Sequence, residues 1–531
     1  MNPAALPPPT RRTFLAMTGV GAAAFALGTG EAAAADETVG GRVPSDPFAL
    51  GVASGDPLPD GVVLWTRLAP DPLAPDGHGG MPARPYSVRY EVAEDESFRR
   101  VVRRGQAVAT PELAHSVHPE VRGLRPGREY FYRFRAGSEL SPVGRTRTAP
   151  DHRTTPPELR FATASCAAWY HGHFTAYEHM AREDLDLVLF LGDYIYEYGI
   201  TEGNMRRQGV PLPGAEHAVE TETLEQYRLR YALFKSDPNL QAAHANAPWL
   251  ITTDDHEVQN NYADDWSEKG VPPADFLRRR AVAYRALYEN QPLRSVMRPE
   301  GPDLPLYRRY RWGRLAQIDM LDNRQFRDRY PAGQVIDDSA ERHDPRRSLL
   351  GARQEKWLYD GLRRSGATWN LLGTGVVMAE IDRDPGSGEL YSNDMWDGFP
   401  ANRDRLWKAF ERYRIANPVA LSGDIHRHVA AELKADWKDP DSRTVGTELV
   451  TGSIASDADG AETDSVGELW LANPHVELYN ARRGYLSCTL TPGRLTARFK
   501  TVEYVTRPGA PIRTTARFVT EAGRPGLNRE V

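Results

Sequence analysis

Cysteine is nearly missing from this chain: Cys166 and Cys488 are the only two thiols in 531 residues. Two thiols cannot build a disulfide scaffold for a protein of this size, although one bridge stays open. An excess of either charge is missing too, with 66 Lys and Arg against 72 Asp and Glu and a net charge of −6. That balance offers no basic surface for a nucleic-acid partner. Beyond the first residues no stretch approaches the ~20 apolar residues of a membrane span, so no integral membrane segment is expected in the mature chain. No internal repeat and no low-complexity tract follows the leader.

What is present begins with an address. Thr10-Arg11-Arg12-Thr13-Phe14-Leu15 precedes a Gly/Ala-rich apolar run to about Gly28, then Ala32-Ala33-Ala34-Ala35-Asp36. Twin arginines, a weakly apolar segment and small residues at its exit read as a Tat-type signal peptide over residues 1–35, and hence as a secreted or cell-envelope protein. A membrane anchor is the competing reading, disfavoured by the short, Ala/Gly-rich run. Residues 42–150 are broken up by Pro and Gly and carry β-type runs at Val62–Arg67, Tyr86–Val92 and Tyr130–Phe134. Short strands at regular spacing predict an N-terminal fibronectin-like β-sandwich, closed by the linker Asp151–Pro157. From there strands and helices alternate, so residues 151–531 are expected to form an α/β domain. Phe174–Glu183 has helical spacing, and the carboxyl end returns to a hairpin about Pro492-Gly493.

Strand ends carry the chemistry. Leu187-Val188-Leu189-Phe190-Leu191 is a continuous apolar run suited to a strand buried on both faces, and it stops at Gly192-Asp193 with Tyr196 three residues on. The strand at Leu159–Ala164 runs into Ser165-Cys166, that at Pro248–Thr253 into Asp254-Asp255-His256-Glu257, and that at Pro418–Leu421 into Ser422-Gly423-Asp424-Ile425-His426. Further strands are expected at Arg314–Leu321 and Trp369–Thr374. A parallel sheet brings such ends to one rim, where α/β proteins bind ligands. Thiolate, phenolate and imidazole suit an oxidised iron, whereas clustered carboxylates suit a hard cation such as Ca²⁺ or Mg²⁺. Asp193 is the natural bridging carboxylate.

The segment from Asp46 to about Tyr504 resembles the PhoD-type alkaline phosphatases, within the metallophosphoesterases related to purple acid phosphatases. The resemblance rests on Ala53-Ser54-Gly55-Asp56-Pro57, Trp65-Thr66-Arg67, Ser165-Cys166, Gly192-Asp193-Tyr194-Ile195-Tyr196-Glu197 and Asp254-Asp255-His256-Glu257-Val258 with Asn260-Asn261. It continues through Leu321-Asp322, Arg324-Gln325, Trp396-Asp397-Gly398-Phe399-Pro400 and Ser422-Gly423-Asp424-Ile425-His426. It implies a metallophosphoesterase-type α/β sandwich of mixed sheets flanked by helices. It also implies Fe³⁺ held by Cys166, Asp193, Tyr196 and His426, with one or two Ca²⁺ on Asp193, Asp255 and Asp424 and on Asn260 or Asn261. His256 then stands near the leaving group and Arg427 at the phosphate. The implied reaction is hydrolysis of phosphomonoesters and phosphodiesters by a metal-activated water or hydroxide.

Plainer roles compete at several positions. His171, His173 and His428 read as surface or supporting residues, Tyr194 and Tyr198 as packing, and Trp396 and Phe399 as structural. Arg324 reads equally well as a salt-bridge residue and as a phosphate binder. A phospholipase D-type hydrolase and a non-catalytic exported binding protein are the alternative functions. The chain is expected to act as a monomer on a phosphate ester, with transient contact to lipid or cell wall.

Overall fold

A strand buried on both faces needs a partner layer on each, and Leu187–Leu191 finds both. In the computed structural model, which describes residues 42–330, 333–384 and 386–530, it lies mid-sheet between the parallel strands Leu159–Ala164 and Trp249–Thr252. Its leucines Leu187, Leu189 and Leu191 face a second sheet, packing with Ile318, Met320, Leu371, Val419 and Leu421. Its alternate residues Val188 and Phe190 face helices, packing with Phe174, Tyr177, Leu240 and Tyr284. Full burial of each such side chain is worth roughly 1.5–3 kcal/mol, so period-2 alternation between two apolar layers explains the unbroken apolar run.

The second sheet repeats the scheme. Ala316–Met320, Trp369–Gly373, Pro418–Ser422 and Thr444–Val450 run parallel in that order. Leu372 and Ala420 point away from the first sheet to the helices Gly351–Arg363 and Pro400–Tyr413, where Leu358, Leu362, Leu406 and Phe410 wait. The result is helices, sheet, sheet, helices: the expected α/β sandwich of mixed sheets. The four ligand-bearing strand ends therefore come from two facing sheets rather than the one rim expected, three from the first and the Pro418 strand from the second.

Segment 42–150 does not make a sandwich of its own. Val52–Leu58 and Gly61–Arg67 extend the large sheet, Val52–Leu58 pairing parallel to Trp249–Thr252 at Gly55. A five-stranded sheet built on Tyr86–Ala93, Val101–Ala109 and Glu129–Ala136 faces them across a core of Val62, Leu64, Val88, Tyr132 and Phe134. One sheet is thus shared with the strands whose ends carry the candidate ligands. Gly55 permits it, because a Cβ there would stand 2.8 Å from Trp249 O and 2.6 Å from Pro292 O. The Asp56 motif residue pins the join: its Oδ1 accepts from Arg308 Nη2 at 3.1 Å, and Arg308 Nη1 donates to Ile251 O.

Other expectations shift in detail. The helix expected over Phe174–Glu183 spans only Thr175–Met180, because Asp186 exchanges hydrogen bonds with the backbone of Arg160 and draws the chain out early. Cys166 and Cys488 are both buried and free, so the one bridge left open is not made. The signal peptide expected over residues 1–35 lies outside the described residues, and no helix among those described is long and apolar enough to cross a membrane.

Candidate metal centre

The strand ends do not close into ordinary turns. Cys166, Asp193, Asp424 and His426 all have positive φ, at 57°, 60°, 67° and 59°. Outside glycine that conformation costs about 1–3 kcal/mol and persists where the surroundings dictate where a side chain goes. Glycines let the loops approach one another: a Cβ on Gly192 would stand 2.6 Å from Asp254 N, and one on Gly423 2.6 Å from Ser165 Oγ. Ligand atoms of Cys166, Asp193 and His426 consequently lie within 4.8 Å of one another, as do those of Asp193, Asp255 and His256, and those of Asp254, Asp255 and Asp424. Asp193 belongs to the first two groups and Asp255 to the last two, which makes one continuous run of donors. Tyr196 joins at the thiol end, its Oη 3.1 Å from Asp193 Oδ2 and 2.9 Å from His426 Nε2.

Electrostatics says what such a run needs. Burial first, then neighbouring acids, pushes the carboxyls of Asp193 and Asp424, the Cys166 thiol and the Tyr196 phenol well above their ordinary pKa values. Burial likewise lifts Asp254 to about 6. Asp255 goes the other way: burial opposes ionisation, but Arg324 and His256 hold it low. Its Oδ1 is buried without a hydrogen-bond partner. Acidic groups crowded out of water are costly unless cations offset them, and an orphaned carboxylate oxygen beside soft and hard donors is the chemistry of a metal site. The residues fit a mixed centre, soft donors at one end and oxygens at the other. Side chains of Asp424 and His426 keep 20% and 17% exposure, so the run opens to solvent there.

Residues 161–499 match the PhoD-like phosphatase model, and residues 32–150 match the PhoD-like phosphatase N-terminal domain. The chain belongs to the PhoD-like phosphatase family. It is 46% identical over 496 residues to alkaline phosphatase D of Bacillus subtilis (strain 168), covering 91% of this chain and 82% of that one. A solved structure of PhoD superposes with a TM-score of 0.88 at 45% identity, over 93% of this chain and 94% of that one. A purple acid phosphatase from yellow lupin seeds shares the fold at a TM-score of 0.52 and 12% identity, over 89% of this chain and 74% of that one.

Around these strand ends stand further residues that do not themselves end a strand. Glu197 Oε2 lies 2.7 Å from His256 Nδ1, and its Oε1 accepts the Asn260 N–H at 2.8 Å. Glu257 accepts the backbone N–H groups of Asp193, Tyr194 and Asp254, and burial raises it to about 7. Both stand inside the motifs that carry the resemblance, Glu197 one residue past Tyr196 and Glu257 one past His256. Ser456 and Asp457 follow the strand Thr444–Val450, whose Gly446 and Glu448 hid it among polar sequence. Arg324 resolves as a salt-bridge residue: fully buried, it pairs with Asp254 at 2.5 Å and Asp394 at 2.6 Å, with Asp255 at 3.7 Å and Asp424 at 3.9 Å. Asn260 turns its amide to Glu268 at 2.7 Å, while the Asn261 N–H holds Asp255 Oδ2 at 2.6 Å. Arg427 pairs with Asp464 at 2.7 Å and reaches Asp457 at 3.5 Å. A separate cavity of about 390 Å³ beside Arg160 and Asp186 lies at the amino ends of the strands and holds none of these donors.

Proposed function

We propose that this chain is a secreted, metal-dependent phosphoesterase hydrolysing phosphomonoesters and phosphodiesters. The convergence of Cys166, Asp193, Tyr196 and His426 with Asp255, His256 and Asp424 carries the reading. We assign Fe³⁺ to the first four and one or two Ca²⁺ to Asp193, Asp255 and Asp424, with Asn260 as a further oxygen donor once released from Glu268. Such cations, when bound, neutralise charge growing on phosphoryl oxygens and make a water acidic enough to attack phosphorus.

The side chains of the protein do the rest. Burial works against a charged His256, but Asp255, Glu197 and Asp193 outweigh it and raise its pKa well above the ordinary value. With Nδ1 on Glu197, Nε2 carries the proton delivered to the departing oxygen. Arg427, its guanidinium fixed by Asp464 and Tyr479, supplies positive charge to the phosphate. Residues 151–531 hold these groups, and 42–150 buttress the sheet that presents them. We take the enzyme to be exported by its Tat-type leader and to act as a monomer, touching lipid or cell wall only transiently.

Assays on p-nitrophenyl mono- and diesters beside phosphatidylcholine test this. Turnover of the first two, lost on chelation and restored by Fe³⁺ and Ca²⁺, is the expected result. Headgroup release from phosphatidylcholine alone moves the protein to the phospholipase D-type reading, and full metal content with no turnover makes it a binding protein.

A further inference from the structure

One short stretch touches three of the four residues assigned to iron. Ser456 Oγ is 2.8 Å from Tyr196 Oη and 2.8 Å from Cys166 O, and it accepts the Ala168 N–H at 3.1 Å. Next in sequence, Asp457 Oδ2 lies 2.8 Å from His426 Nδ1. The pair is held from both sides. Asp457 has φ +67° and its N–H donates to His171 Nδ1 at 3.0 Å, while Asp459 accepts the N–H groups of Val505 and Thr506 at 2.7 and 2.8 Å.

Hydrogen-bond bookkeeping gives these contacts a role beyond packing. A serine hydroxyl has one proton to donate. While Tyr196 is a phenol, its own proton can go to Asp193 Oδ2 at 3.1 Å and the Ser456 proton can go to the Cys166 carbonyl. A phenolate oxygen only accepts. Its other neighbours are then no help: Asp193 is an acceptor, and His426 Nε2 carries no proton when Nδ1 gives its own to Asp457. Among the described residues Ser456 is the one hydroxyl placed to donate to that oxygen. The same arrangement leaves the His426 Nε2 lone pair directed at the Tyr196 and Asp193 donors.

We propose that Ser456 and Asp457 are positioning residues of the thiol end of the centre, Ser456 stabilising Tyr196 as a phenolate and Asp457 fixing the tautomer and ring orientation of His426. The proposal rests on the iron assignment made above. A carboxylate behind a ligating imidazole typically changes metal affinity about 10- to 100-fold, and a hydrogen bond to a phenolate lowers the energy of the electrons that give a ferric phenolate its colour.

The test uses the iron-loaded full chain and its S456A, S456T and D457N variants, read by visible absorption and by iron retained against a chelator. S456A should keep iron but move the visible band to longer wavelength, S456T should restore it, and D457N should lose iron about 10- to 100-fold more readily. Should S456A not fold, S456C keeps the volume, donates weakly and should shift the band in the same direction. A coloured wild type whose band is unmoved in the Ser456 variants, with D457N retaining iron normally, overturns the proposal and leaves the iron assignment standing. A colourless wild type instead removes the iron assignment and this inference with it.

Discussion

Asp424 shows at a single residue how stability yields to chemistry. Its φ of +67° suits glycine better than aspartate, and its carboxyl is forced toward the neutral form by burial and by Asp254, Asp394 and Asp255. Asp424→Gly should therefore stabilise the metal-free protein by about 1 kcal/mol while abolishing turnover, a pair of results that urea titration and a phosphatase assay can check. Glu197 poses the opposite case, a fully buried carboxylate whose two oxygens hold His256 and the Asn260 N–H. Glu197→Gln should lower kcat about 10- to 100-fold on esters with poor leaving groups, at or below the lower end of the ~10²–10⁴ that general acid catalysis supplies, and far less on p-nitrophenyl phosphate. His256→Ala should follow the same ranking more steeply; equal losses on both ester types would remove leaving-group protonation from the account.

At the scale of elements, strands and loops part company. The runs at Leu187–Leu191, Trp249–Thr252 and Pro418–Ser422 were legible because burial on both faces writes unbroken apolar sequence. Thr444–Val450 is just as buried but spends Glu448 on the N–H groups of Met378 and Ala379 and on the Ser422 hydroxyl. Such buried polar accounting is invisible in sequence without its partners, which hides the strand and the Ser456–Asp457 loop that follows it. Sequence likewise could not tell that the segment before Pro150 shares its sheet, since Gly55 and Asp56 look like any turn. Asp56→Ala leaves the largely buried Arg308, which ties two sheets together, without its carboxylate. Breaking a buried pair in that way costs about 3–5 kcal/mol, so the denaturation midpoint should fall accordingly with the m-value unchanged.

At the scale of the whole molecule, two histidines away from the centre contribute stability that acid removes. Burial lowers His217 and His475 to about 4, and His475 stays neutral with Nε2 donating to Glu380 O at 2.7 Å. Their folded pKa values lie below the unfolded value of about 6.5. Their contribution is thus fully present above pH 6.5 and lost as pH falls toward 4, because the unfolded chain binds more protons at these two positions. Over that window the wild-type urea midpoint should fall relative to that of His475→Gln, and an unchanged difference between the two would remove His475 from the account.

Elemental analysis of the purified, active protein, read with its visible spectrum, tests the central claim most directly. A thiolate, a phenolate and an imidazole beside clustered carboxylates predict a coloured protein containing iron and calcium, whose colour and turnover leave together on chelation. A colourless protein that is fully active with zinc alone would contradict the account.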